Sequence, residues 1–557
     1  MNAIFVLIAG IGAMALGYLF YSRFIAEKIY RLDPNFRTPA HEFEDGVDFV
    51  PTNKFVLWGH HFTSVAGAAP IIGPAIAVIW GWVPAFLWVI LGTIFFAGVH
   101  DAGAIWASNR NKAKSIGALT GDIVGKRARS LFMIVIFLVL LMVNAVFAVV
   151  IAGLLVDFNS AVMPVWGAIF VALIIGQLLY RKLVGLLAVS IIGVVALYAL
   201  IGLGPALPLA LPETFMGLSD RAQWIVILFG YAAIASLLPV WVLLQPRDYI
   251  NGIQLFIGLI LLYGAVLLAG PELVAPAFNT DLPEGTPSMI PLLFVTIACG
   301  AISGFHGLVA GGTTSKQLNK ETDARFVGYF GAIGEGSLSL AAIIAATAGF
   351  ATIADWQAVY HSFGQGGVNA FVTGGANILS NGINLNVDLA QTLLTVMAVL
   401  FAGTTMDTGL RLQRYIFQEW GQIYNLQWMQ KAVPATLLAV GACLLLAFGA
   451  GGADGSGGLI IWPLFGTTNQ LLAGLTLLVI TVMLVRLGRP MYFTLVPLIF
   501  LLVMTVAALI MQLKTFYVQE NWFLFGLDIV VLIAAILIAL ECASVLNHLR
   551  KGDEELE

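Results

Sequence analysis

The sequence predicts an all-α polytopic membrane protein with about 15 transmembrane helices, within a range of roughly 14–18. The 557 residues are 60% hydrophobic and only 10% charged, whereas soluble domains carry roughly 25% charged residues. Apolar stretches of about 20 residues, the length that crosses a bilayer, recur along the chain. The positions of Lys and Arg relative to these stretches give a third, independent indication, described below.

The first predicted span follows directly from the N-terminus. Residues Met1 to Tyr21 are apolar, and the first positive charges, Arg23 and Lys28, come after them. A secretory signal would carry its charges first and a small-residue cleavage site at the end, so this stretch is interpreted as a transmembrane helix. The predicted spans lie near residues 3–22, 61–80, 83–105, 131–156, 161–180, 183–203, 222–244, 252–270, 288–310, 328–350, 388–406, 432–450, 458–482, 491–513 and 522–545.

Lys and Arg sort to one side of this topology. Of the 26 Lys and Arg residues, all but Arg221 and Lys514 fall in loops on the same side, which is typical of the cytoplasmic face. We therefore expect the N-terminus outside and the C-terminus inside the cytoplasmic (inner) membrane. Residues Ala351 to Val387 lack Lys and Arg and are predicted to form an extracellular cap or interfacial helix. The chain ends in a short acidic tail after Lys551.

The second span, Gly59 to Gly81, cannot be one regular helix. Two glycines and two prolines fall between Gly67 and Pro74, and proline removes a backbone donor while glycine loosens the chain. Irregular backbone survives at membrane depth only where protein buries it or a polar cavity adjoins it. Either the freed amides face a substrate, or the kink lets a neighbouring helix pack closely. The substrate interpretation assigns binding to His60, His61, Ser64, Gly67, Pro70 and Gly73.

A second interrupted span, 222–246, contains Ser236, Pro239 and Pro246, and Ser236 and Pro239 complete the predicted substrate site. Interrupted spans at corresponding positions of two inverted repeats indicate a transporter's binding site. We therefore predict a LeuT/APC-like inverted repeat of five plus five spans with broken helices. Residues 1–58 form the first helix and a cytoplasmic loop, 59–203 the first repeat, 204–410 the second repeat, and 411–557 accessory helices. The positive ends of broken helices suit an anionic group such as a carboxylate.

Several polar or ionisable residues lie within predicted spans, where each is by default a candidate functional residue. Histidine titrates near neutral pH and a buried carboxylate can also do so. Span 288–310 is rich in glycine and carries Ser303 and His306 on one helical face. In LeuT-type folds the helix at this position helps to form a coupling-ion site, which makes Na⁺ held near Ser303 a second possible coupling ion. Packed or interfacial roles remain open for these residues, and Asp407 is expected to pair with Arg411 four residues later. The candidate coupling residues are His100, Asp101, Ser303, Gly304, His306 and Glu335.

Metal and enzyme chemistry receive less support from the sequence. His60, His61, His100 and Asp101 have ligand chemistry suited to zinc or iron, but their spacing matches no metal signature, so no metal or other cofactor is predicted. Nucleophile elbows, phosphate loops and basic patches for nucleic acid are absent. The three cysteines, which lie in apolar runs, indicate neither a disulfide framework nor a thiolate metal cluster.

Five blocks of the chain resemble the carbon starvation protein A (CstA) family. They are the region from Lys54 to Gly117, and the later motifs GFHGLVAGGTTSKQL, GEGSLSL, TTMDTGLRLQRYIFQE and IWPLFGTTNQLLAGL. The resemblance implies a membrane carrier of peptides or small carboxylates such as pyruvate, often induced by nutrient limitation. It also implies a LeuT-like (APC-type) fold and proton coupling.

Taken together, these observations favour a secondary active transporter over an enzyme. It would import small peptides or pyruvate-like carboxylates by alternating access, with H⁺ or Na⁺ as coupling ion. Its expected partners are a small-molecule substrate and membrane lipids. The alternatives are an intramembrane metalloenzyme using His60, His61, His100 and Asp101, or a channel.

Overall fold

The computed structural model is mostly helical and describes residues 1–46, 48–181, 184–239, 242–450, 452 and 458–551. The helices are α1 Ala3–Leu16, α2 Ser22–Phe24, α3 Pro39–Glu42, α4 Lys54–Val65, α5 Ala69–Ala77, α6 Trp82–Gly92, α7 Gly98–Arg110, α8 Ile116–Ile123, α9 Lys126–Asp157, α10 Val162–Tyr180, α11 Leu186–Leu203, α12 Asp220–Leu237, α13 Leu244–Ala269, α14 Met289–Thr296, α15 Ala298–Ala301, α16 Gly304–Val309, α17 Phe330–Ala348, α18 Ile353–Val359, α19 Gly367–Ile383, α20 Val387–Ile423, α21 Ala432–Gly449, α22 Gly458–Arg486, α23 Tyr492–Val518 and α24 Trp522–Lys551.

Short irregular turns join several of these helices without ending the span. The π-helical turns are Gly17–Tyr21, Ile25–Ile29, Thr93–Ala97, Ala310–Thr314 and Arg325–Tyr329, and the 3₁₀ turns are Val78–Trp80, Asn159–Ala161, Gly204–Ala206 and Ser315–Gln317. Strands β1 Thr214–Phe215 and β2 Leu218–Ser219 form a small antiparallel hairpin in a loop, with Thr214 opposite Ser219.

The prediction of an all-α polytopic membrane protein is confirmed. Among the described residues, 12 helices are long and apolar enough to cross a membrane, and a bent pair makes a possible thirteenth. The predicted spans 222–244 and 288–310 correspond to α12 and to a broken segment, and neither is among these 12 helices. The predicted count of about 15 is therefore not confirmed. The acidic tail, residues 552–557, lies outside the described residues.

The predicted break in the second span is present between α4 and α5. Their axes are bent by 52° across Ala66 to Ala68. A Cβ atom on Gly67 would overlap the Thr405 hydroxyl, and one on Gly73 would overlap the carbonyl oxygen of Thr296. Glycine is needed at both positions because other backbone or side-chain atoms occupy the space that a side chain would take.

The second break is not where the sequence placed it. Helix α12 is continuous through Ser236 and ends at Leu237, so Pro239 lies in the connection to α13 rather than in a broken span. The interruption occurs instead between α15 and α16, where Ile302 and Ser303 have extended backbone. Pro239 thus lies in a loop between two helices, whereas the interruption at Ile302 and Ser303 contains no proline.

The segment from the start of α14 to the end of α16, residues 289–309, runs alongside α5. The Cα atom of Ile297 would lie 3.3 Å from a Cβ on Gly73, so the backbones of α5 and the α14–α15 junction touch. The two interrupted elements are therefore direct neighbours inside the bundle.

The segment 351–387, for which the sequence predicts an extracellular cap or an interfacial helix, is helical and packs against the bundle. It forms α18 and α19, and α19 packs closely with α13, α17 and α20, with Phe371 and Leu379 completely buried. Its glycines create close backbone contact, since a Cβ on Gly382 would lie 2.5 Å from the carbonyl oxygen of Ala265. These glycines therefore allow close packing between helices.

Helix α22 is also buried in the centre of the bundle. Its most apolar 18-residue window is 94% buried, against 33–39% for α21, α23 and α24. It packs against α9, α7 and α16. The assignment of residues 411–557 to accessory helices thus does not describe α22, whose polar side chains reach the broken segment.

Candidate functional site

A chain of four buried ionisable residues crosses three elements of the bundle. Oδ1 of Asp101 lies 2.7 Å from Nδ1 of His100, and Oδ2 of Asp101 lies 2.8 Å from Nδ1 of His306. Nε2 of His306 lies 3.1 Å from Oε2 of Glu335. All four residues are at most 1% exposed. We call this set, His100, Asp101, His306 and Glu335, the charge relay.

Glycines allow the elements of the charge relay to approach this closely. A Cβ on Gly328 would lie 2.7 Å from the backbone nitrogen of Ala102, the residue after Asp101. A Cβ on Gly307 would lie 3.5 Å from Cε1 of His100. The turn before α17 thus touches the backbone of α7, and α16 lies against the His100 ring, which brings the relay side chains within direct contact of one another.

The geometry restricts where protons can lie. Each histidine presents Nδ1 to a carboxylate oxygen of Asp101, and a carboxylate only accepts hydrogen bonds when ionised, so both Nδ1 atoms carry a proton. The contact between Nε2 of His306 and Glu335 is close but lacks hydrogen-bond alignment, since Nε2 has no hydrogen-bond partner. One proton there lies either on His306, as an imidazolium between two carboxylates, or on Glu335.

Ser303 and Gly304 lie at the break beside the relay, where α22 binds them. The side-chain amide of Asn469 donates to Oγ of Ser303 at 3.1 Å, and its Oδ1 accepts from the backbone nitrogen of Phe305 at 3.0 Å. A Cβ on Gly304 would lie 2.5 Å from the backbone nitrogen of Ala473. Sequence reasoning did not assign Asn469 a role, although a neutral amide within an apolar span was a detectable signal.

His61 connects the first broken span to the same elements. Its Nδ1 lies 2.8 Å from Oγ1 of Thr314, in the π-turn that follows α16. The ring also lies 3.1 Å from the position of a Cβ on Gly331, one helical turn before Glu335. Nε2 of His61 is buried without a hydrogen-bond partner. His60 and Ser64 are only half-buried, on the same helix.

The residues named for the alternative metalloenzyme interpretation do not all converge. His100 and Asp101 belong to the charge relay, whereas His61 contacts Thr314 and Gly331. Among the described residues, no three His, Cys, Asp or Glu side chains form a group that could hold a metal ion. The arrangement therefore gives the metalloenzyme interpretation no support.

Ser236 and Pro239, predicted to bind substrate, lie near a separate buried ion network. The Ser236 carbonyl accepts from Nη1 of Arg414 at 2.7 Å, and that of Leu238 accepts from Nη2 of Arg411 at 2.6 Å. These two arginines bind the last carbonyl groups of α12. Neither Ser236 nor Pro239 is part of the charge relay.

Asp407 pairs with a residue other than the predicted one. Its Oδ2 forms an ion pair with Nη1 of Arg247 and accepts from the hydroxyl of Tyr231 at 3.0 Å. Arg247 also contacts Asp248 at 3.1 Å. The expected partner, Arg411, binds backbone instead. Asp407 therefore pairs with Arg247 on the adjacent α13 rather than with Arg411, four residues later on its own helix.

Comparisons with known proteins give the fold and the relatives. A crystal structure of the Eremococcus coleocola manganese transporter, in complex with an aromatic bis-isothiourea substituted compound, covers 91% of this chain and 99% of its own, with a TM-score of 0.52 and 11% identity. This likeness concerns the fold alone.

Sequence relatives are much closer. The chain is 34% identical to the peptide transporter CstA of Campylobacter jejuni, over 90% of this chain and 79% of that protein. It is 30% identical to the pyruvate/proton symporter BtsT of Escherichia coli, over 94% and 83% of the respective chains. The family model described as carbon starvation protein CstA matches residues 2–359 and 351–508. The chain therefore belongs to the carbon starvation protein CstA family.

Proposed function

We propose that this protein is a proton-coupled secondary transporter that imports small carboxylate-bearing molecules, peptides or pyruvate, by alternating access. The observation that carries the proposal is the charge relay, in which His306 bridges two buried carboxylates. Relatives in the family are named as a peptide transporter and as a pyruvate/proton symporter. The distribution of Lys and Arg supports a multi-pass protein of the cytoplasmic membrane with the N-terminus outside.

The proton enters this mechanism through the contact between His306 and Glu335. With a proton there, Asp101 and the His306–Glu335 pair together carry one net negative charge. Without it, two carboxylates lie in a buried site beside a neutral imidazole, which is costly because unpaired charge is poorly solvated there. Protonation therefore lowers the negative charge of the site and favours binding of an anion nearby. By linkage, the anion favours binding of the proton to the same degree.

The break between α4 and α5 supplies the neighbouring binding surface. The residues of α5 are buried throughout, so the N-terminus of this helix lies inside the protein. Donors at a helix N-terminus suit a carboxylate. His61, with its unpartnered Nε2, lies between this break and the elements that carry His306 and Glu335. Binding at the break is thus positioned to respond to the protonation of the relay.

Reconstituted transport tests this proposal. Purified protein in proteoliposomes, with the membrane potential clamped to zero, is assayed with radiolabelled pyruvate and dialanine. With one proton per substrate, each pH unit sustains about a tenfold substrate gradient at equilibrium. We call the logarithm of this ratio per pH unit the coupling slope. A wild-type slope of zero for every transported probe, or absence of transport, would contradict the proposal.

Single substitutions locate the coupling group. We expect His306→Gln and Glu335→Gln to retain substrate exchange at equal concentrations while the coupling slope falls to near zero, because the shared proton site is lost. The exposed His361, replaced by Gln, is the matched control and keeps the wild-type slope. If both relay variants still concentrate substrate under a pH gradient, the assignment to these two residues is wrong.

A further inference from the structure

Side chains of helix α22 form hydrogen bonds with backbone groups of the interrupted segment. Nε1 of Trp462 donates to the carbonyl oxygen of Thr296 at 3.2 Å, and Nε2 of Gln470 donates to that of Phe294 at 2.5 Å. Backbone groups freed by a break need such partners at membrane depth, because no water is available there. The block IWPLFGTTNQ, which the coupling mechanism leaves unexplained, is therefore the stretch that holds the broken segment.

Asn469 differs from these neighbours because it binds both sides of the break. Its amide nitrogen lies 3.1 Å from Sγ of Cys299 in α15, and 3.1 Å from Oγ of Ser303 at the break itself. Its Oδ1 accepts from the backbone nitrogen of Phe305, in the first turn of α16. One side chain thus sets the position of the end of α15 relative to the start of α16.

The contact at Phe305 lies next to the coupling group. Helix α16 has six residues, Gly304–Val309, and so short a helix has little stability of its own. His306 follows Phe305 directly, and no other side chain among the described residues accepts from the Phe305 backbone nitrogen. The direction of the His306 ring toward Asp101 and Glu335 therefore depends on the Asn469 contact.

We propose that Asn469 is a positioning residue for proton coupling: by binding Ser303 and the Phe305 backbone from α22, it holds His306 between Asp101 and Glu335. This inference rests on the proposed function, in which His306 carries the coupling proton. Asn469 itself touches neither Asp101 nor Glu335 in any contact of the described residues, so it acts through the backbone of α16.

The coupling slope separates positioning from general stability. A substitution that only lowers the amount of folded protein slows uptake but leaves the equilibrium slope unchanged. We expect Asn469→Ala to reduce the slope at least fivefold while pyruvate or dialanine exchange persists. Asn469→Asp keeps the oxygen that accepts from Phe305 and should retain at least half of the slope. Gln470→Ala is the matched control, because Gln470 binds α14 and not α16, and its slope should equal that of the wild type.

The outcomes are distinguishable from failure of the proposed function. If the wild-type protein has no slope, the function is wrong whatever the variants do. If the wild type is coupled and His306→Gln is not, a normal slope in Asn469→Ala overturns the positioning role. Equal losses in Asn469→Ala and Gln470→Ala overturn it as well, since they indicate general loosening. Should Asn469→Ala fail to purify, Ser303→Ala takes its place, with a twofold or greater loss expected and a normal slope overturning the proposal.

Discussion

Replacing Gly328 by alanine should disturb the charge relay by displacing the backbone of α7 that carries Asp101. A Cβ at this position would lie 2.7 Å from the backbone nitrogen of Ala102 and 2.9 Å from the carbonyl carbon of Asp101, whereas ordinary contact begins at 3.4 Å. Both neighbours are backbone atoms and cannot rotate away. The turn before α17 must therefore separate from α7 by about 0.7 Å, and overpacking of this kind costs roughly 1–3 kcal/mol.

That displacement is large compared with the tolerance of the relay contacts. Asp101 and His306 are joined at 2.8 Å, and a shift of about 0.7 Å along the contact brings it to the edge of hydrogen-bond range. We expect Gly328→Ala to lower the thermal unfolding midpoint by a few degrees, about 2–4 °C per kcal/mol for a large domain. The coupling slope should fall by at least half.

The control for this experiment lies on a nearby turn. A Cβ on Gly312 would meet no other atom within 4 Å, so Gly312→Ala should leave both the unfolding midpoint and the slope unchanged. The reasoning would be refuted if Gly328→Ala matched the wild type in both measurements, because the backbones would then separate without cost or consequence.

Two further substitutions test other parts of the structure. Gly67→Leu should abolish uptake while the protein still purifies, since the Thr405 hydroxyl occupies the space that a side chain would take; near-normal uptake would mean that the break is structural only. Asp407→Asn should destabilise the protein by about 1.5–3 kcal/mol because it removes one of the two carboxylates that pair with the buried Arg247. Thermal unfolding measures this loss, with the exposed Asp388→Asn as control, and equal midpoints for the two variants would contradict it.

The position of the first break could be predicted from the sequence, whereas the second could be expected only as an irregularity somewhere in the glycine-rich span 288–310. Between Gly67 and Pro74, the residues themselves forbid a regular helix. At Ile302 and Ser303 the backbone departs from helix because a neighbouring side chain, Asn469, offers alternative hydrogen bonds. Such a break depends on tertiary contacts, which a single sequence does not display.

The charge relay was also predictable only in part, because its residues could be identified from the sequence but their contacts could not. His306 and Glu335 were recognisable one at a time, because each is an ionisable group within an apolar span. Their contact with each other, and with Asp101 far away in sequence, depends on three helices packing through glycine. The wrong partner predicted for Asp407 has the same origin. Spacing along the sequence identifies only neighbours on the same helix, such as Arg411, and gives no information about partners on other helices.

The reliance of the break on Asn469 has a consequence for biogenesis. Asn469 follows Phe305 by 164 residues, so during synthesis the interrupted segment leaves the ribosome well before its stabilising partner exists. Until α22 is made, the backbone N–H and C=O groups at the break lack these hydrogen-bond partners. They must remain near water or lipid headgroups, or be shielded by the insertion machinery. A nascent chain that stops before α22 therefore carries an uncompleted membrane segment. Such a fragment is expected to be a substrate for membrane proteases, whereas the full-length chain is not.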